Sequence, residues 1–144
     1  FQVDSIAFAR QATRIIGADS AADQGPEMLA LYRGPFAPEF EYEEWAGEWR
    51  THLHTTYLRL AHATASGLLR DGRFGEVVEA LTPVATIDPS AFEIRSTLVG
   101  CLAASGASDA AMAHYRSLAS AHQRELGLPA RSYQEMVETV SAMG

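Results

Sequence analysis

The sequence predicts an all-α protein of about seven helices arranged in antiparallel pairs. Three observations predict it. Apolar residues recur at spacings of three and four along most of the chain. Nothing resembles the sustained β-branched alternation of strands, and proline and glycine interrupt the pattern at intervals that suit helices. A chain of 144 residues, 47% apolar and 20% charged, suits one globular domain spanning 1–144, large enough to bury its own core.

Taken in order, Asp4 can cap a first helix whose Phe8, Ala12, Ile15 and Ile16 share a face, ending at Gly17. The stretch 21–33 offers Met28, Leu29, Leu31 and Tyr32 for burial. Gly25-Pro26 either breaks that helix or starts it, and Gly34-Pro35 ends it. After the loop GPFAPEFEY, a long pattern opens near Glu43 and runs towards Asp71, with Trp45, Trp49, Leu53, Tyr57, Leu60, Thr64 and Leu68 along one seam. The seam is too short and too interrupted by hydroxyl residues for a coiled coil, so it predicts one long helix shared by two packing units. Shorter helices are expected at 73–86, 90–104, 108–125 and 132–142. Asp88-Pro89 is read as the start of the second of these, Ser132 with Glu135 as a capping box for the last, and Gly127 as a left-handed cap after Arg124-Glu125-Leu126.

The most informative feature is an offset of 34 residues, the period of a tetratricopeptide helix pair. Sliding the chain on itself aligns Leu68 with Leu102, Gly72 with Gly106, Val77 with Ala111, Leu81 with Tyr115, Val84 with Leu118 and Ala85 with Ala119. Glycine makes the turn between two antiparallel helices, small residues after it allow close approach, and bulky ones a turn later fill the groove. The expected architecture is a tetratricopeptide-like right-handed superhelix. About three such units are usually needed for stability, so the hairpin of residues 4–33 is expected to cover one end. The helix 132–142, with Met136, Val137 and Val140 on one face, is expected to cap the other.

Charge narrows the partners. Eleven arginines and no lysine face eighteen carboxylates, for a formal charge of −7, so this segment alone is a poor nucleic-acid binder. The imbalance sits mostly in residues 1–50, with nine acids against four arginines. No apolar run approaches the ~20 residues that cross a bilayer, and FQVDSIAFARQ is not a signal peptide. A cytoplasmic protein with no membrane partner is expected. Starting at a phenylalanine expected inside a fold, the chain reads as a fragment of a longer polypeptide whose DNA-reading or chemical part lies elsewhere.

Enzyme signatures are missing: there is no glycine-rich phosphate loop, no Gly-x-Ser-x-Gly elbow and no His-Glu-x-x-His, so no catalytic residue, cofactor or metal is expected. His52 and His54 lie roughly 200° apart around a helix and cannot chelate one metal together. His114 and His122 are separated by ~12 Å of helical rise, too far to cooperate in one small site. Cys101 is read as a small buried hydrophobe, with redox sensing the alternative.

Two surfaces are candidates for partner binding. Within FAPEFEYEEWAGEW, Phe40 and Tyr42 are the expected exposed contacts of an acidic, aromatic surface. The other account of this stretch places Glu43 and Glu44 at a helix N-terminus and turns Trp45 and Trp49 to the core. Opposite the long helix's apolar seam, Arg59, His62, Ser66 and Arg70 form one polar, mostly basic stripe. In a helical-repeat superhelix such positions line the concave face and suit an acidic peptide or a neighbouring domain, the alternative being an ordinary solvated helix face.

Several stretches together resemble a known family: ALYRGPF at 30–36, the Trp-containing acidic helix start at 43–49, LLRDGRFGEVVEAL at 68–81, Asp88-Pro89, and AHYRSLASAHQRELGLPA at 113–130. The pattern is similar to the bacterial transcriptional activator domain of the Streptomyces antibiotic regulatory proteins, over essentially the whole chain. The resemblance implies a non-enzymatic, tetratricopeptide-like module that follows a winged-helix DNA-binding domain, which this chain does not include. It implies a role in self-association, as in a homodimer, and in contact with its own DNA-binding domain or RNA polymerase subunits. A peptide adaptor unconnected with transcription is the rival reading.

Overall fold

The computed structural model describes residues 5–17, 21–31 and 44–143. Seven helices occupy them: α1 (Ser5–Gly17), α2 (Ala21–Leu31), α3 (Glu44–Arg70), α4 (Phe74–Ile87), α5 (Phe92–Ala104), α6 (Ser108–Leu126) and α7 (Tyr133–Met143). No strand occurs among the described residues. Asp4, Gly34 and Pro35 fall outside them.

The 34-residue step is written in the backbone. At the end of α3 the Arg73 amide donates to the Leu68 carbonyl at 2.9 Å and the Gly72 amide to Leu69 at 3.0 Å. At the end of α5 the Ala107 amide donates to Leu102 at 2.9 Å and the Gly106 amide to Ala103 at 3.1 Å. This pair of bonds is a Schellman closure, which requires a left-handed residue at its centre. Gly72 (φ 69°) and Gly106 (φ 89°) supply it. Val77 and Ala111, one turn into the returning helices, are both fully buried, as are Val84 and Leu118 farther along.

Two helix layers result. The first helices of each pair, α1, α3 and α5, neighbour one another in one layer, with α7 beyond α5; α2 and α4 lie behind and bridge successive pairs, α2 against α3 and α4 against α5. One continuous apolar cluster runs from Phe8, Ala12 and Ile15 through Met28, Leu29, Leu53, Tyr57, Leu60 and Leu68 to Leu81, Ile94, Leu98 and Val140. The predicted α3 seam is buried at every position from Leu53 to Leu68. The side chains of Trp45 and Trp49 are outside the described ones. Helix α5 is buried on almost all sides, from Ile94 to Leu102, as befits a helix wrapped by α4, α6 and α7.

Two sequence expectations need correction. Gly25-Pro26 neither breaks nor starts α2, which runs through it. The amide lost at Pro26 is one bond, outweighed by burial of Ala21, Met28 and Leu29 on α3. Close approach there needs Gly25, where an added Cβ would collide with Thr64. Asp88-Pro89 does not open α5 directly: Asp88 terminates α4, and α5 begins at Phe92 after a turn in which the Ser90 amide donates to Asp88 Oδ1 at 3.1 Å. Helix α7 packs on the last pair at α5. It lies along α5, where an added Cβ on Gly100 would collide with Val140 and the Met136 carbonyl, and it reaches α3. The cap at its start is as expected, the Glu135 amide donating to Ser132 Oγ at 3.1 Å. Gly127 is left-handed.

Candidate functional site

Helix α3 positions the candidate face. Its buried seam consumes most of the circumference, so its exposed residues from Thr51 onward fall in a single narrow row. Arg59, His62, Ser66 and Arg70 all lie in that row and all are exposed. Eleven residues separate the first from the last, roughly 16 Å at 1.5 Å per residue. The row faces away from α2, which meets the opposite side of α3 at Thr64 and Gly67. The structure therefore brings together the four stripe residues named from the sequence. Phe40 and Tyr42 lie outside the described residues. The first layer is open along this row of α3, whereas α7 covers α5.

The histidines are structural or solvated. His54, half-buried, places Nε2 2.8 Å from Asp88 Oδ2, tying α3 to the corner between α4 and α5. Asp88 thus serves the Ser90 turn with one oxygen and His54 with the other. Sequence reading missed this contact because the partners are remote in the chain and neither belongs to a motif. His122 Nδ1 lies 2.7 Å from the Leu128 carbonyl and the ring meets Phe92 edge-on at 5.0 Å, so it organises the turn after α6. His114 is exposed. No group of three or more metal-ligating side chains occurs among the described residues. Cys101 is buried, and that burial pushes its thiol up to about 12. Among the described residues, no helix is long and apolar enough to cross a membrane.

The family model for the bacterial transcriptional activator domain matches residues 3–139. The chain belongs to that family. No curated protein and no solved structure gives a significant match. This bacterial transcriptional activator domain is all-helical, and its family is one of transcription regulation rather than of typical enzymes. What the domain offers chemically is surface: a well-packed interior with an exposed row bearing Arg59 and Arg70 on one layer, and no group of three or more metal-ligating side chains among the described residues.

Proposed function

We propose that this domain is the protein-contact module of a bacterial transcriptional activator. It supports self-association and contact with the transcription machinery, while a separate winged-helix domain reads promoter DNA. The family match over residues 3–139 carries the reading. Two features support it: a formal charge of −7, which disfavours direct binding to phosphates, and the exposed row Arg59, His62, Ser66 and Arg70, whose positions the core does not use. A cytoplasmic setting follows from that role.

The test uses the full-length activator with a promoter reporter. Arg59→Glu with His62→Glu should lower activation while promoter occupancy stays unchanged. Loss of occupancy, or tight sequence-specific DNA binding by this domain alone, would contradict the division of labour. A peptide adaptor independent of transcription is the second reading, favoured by the same row. It predicts that deleting the domain leaves reporter activity intact.

A further inference from the structure

Charge differs between two pairs of helix stretches. In the first layer, α1 and the stretch 51–70 of α3 contain Arg10, Arg14, Arg59 and Arg70 with three histidines, and no carboxylate. Directly behind, α2 and α4 contain Asp23, Glu27, Glu76 and Glu79, and no basic residue. Arg10, Arg14 and Arg59 are exposed. Ion pairs join His54 of this stretch to Asp88, and Arg73 to Asp71 and Glu76 at the α3–α4 turn. Helix α7 carries Glu135 and Glu138. The end of α7 that enters the shared core, at Val140, is bordered by the uncharged Thr139 and Ser141. Over residues 5–17 and 51–70 an acidic chain carries only basic charge.

We propose that this α1–α3 face docks an acidic polypeptide segment of a protein partner, an inference that rests on the protein-contact reading above and names the chemistry of the contact. Guanidinium groups suit carboxylates because two N–H donors match two oxygens. Arg59, His62 and Ser66 step along α3 by roughly 5–6 Å, the interval between carboxylates three or four apart on a partner helix. A nucleic acid fits less well. The net charge of −7 and the carboxylates of α2 and α4 repel a long polyanion, and the exposed residues of α1 and of 51–70 include no Phe, Tyr or Trp on which bases could stack.

The test measures fluorescence anisotropy of a fluorescein-labelled helical peptide bearing glutamate at every fourth position, against its glutamine counterpart, with the full chain at low salt. The glutamate peptide should bind about tenfold or more tightly than the glutamine one, and Arg14→Glu with Arg59→Glu should remove that preference. Glu76→Lys with Glu79→Lys, on the second layer, should leave the preference in place. Arg59→Gln, a milder change, should weaken binding in the same direction, which guards against misfolding of the reversal variant. Equal binding of the two peptides overturns the proposal. So does tighter binding of labelled duplex DNA that the same arginine variants abolish. Self-association that Glu76→Lys with Glu79→Lys disrupts would overturn it too, by giving the face to a second copy. If the arginine variants lower reporter activation while the peptides bind equally, the acidic chemistry fails and the protein-contact reading survives. Intact peptide preference with unchanged activation supports the docking chemistry and overturns the transcriptional assignment.

Discussion

Gly72 and Gly106 hold the same left-handed backbone conformation at equivalent points of two helix hairpins, with φ of 69° and 89°. Each closes its helix through the same pair of hydrogen bonds, and each delivers a small, fully buried residue, Val77 or Ala111, into the start of the returning helix. The repeat is thus a property of the main chain as well as of the side-chain pattern.

The seat of α7 on α5 depends on the missing side chain at Gly100. An added Cβ would meet Val140 and the Met136 carbonyl, and the latter is backbone that cannot rotate away. Gly100→Ala should destabilise the chain by about 1–3 kcal/mol in urea titrations. The damage should be local: amide exchange should accelerate in α7 well before α3. Unchanged stability would mean that α7 does not rest there.

His54 and Asp88 join α3 to the α4–α5 corner across 2.8 Å, half-shielded from water. His54→Ala alone should cost about 1 kcal/mol, whereas Asp88→Ala should cost more because the Ser90 amide also loses its acceptor. A double-mutant cycle should return a coupling of about 0.5–1 kcal/mol. Additive losses would show that the contact contributes nothing.

Burial of Cys101 sets a pH dependence whose sign is definite. The unfolded thiol ionises near 9.0 and the folded one only near 12, so the folded chain keeps its proton over that interval. Stability should fall as pH rises from 9.0 towards 12, and Cys101→Ala should lessen the fall. In the native state a thiol reagent at neutral pH should label Cys101 far more slowly than in urea. Rapid labelling of the folded chain would contradict the burial.

Much of this fold was legible because it is written in local rules. The 34-residue offset located both turns, since only glycine adopts their backbone readily. The three-and-four spacing picked out Leu53, Tyr57, Leu60, Thr64 and Leu68, all buried, because one stripe of a helix must face the core. What stayed hidden depends on tertiary contact. Pro26 reads as a breaker locally, yet α2 continues through it because packing on α3 compensates one lost bond. Asp88-Pro89 looks like a helix start, yet Asp88 is engaged by His54 and by the turn. The stripe on α3 was visible as a pattern. The lack of carboxylates on both α1 and 51–70 gained meaning only once those helices were seen side by side, with α2 and α4 behind.

The most direct test of the stacked hairpins is scanning calorimetry of the chain and of Gly72→Val and Gly106→Val. Both sites are open to a side chain, so the penalty is conformational alone, about 1–2 kcal/mol each. One shared core predicts a single transition that either substitution lowers by a similar amount. Two transitions, each moved by only one of the substitutions, would show that the hairpins fold apart and would contradict the account.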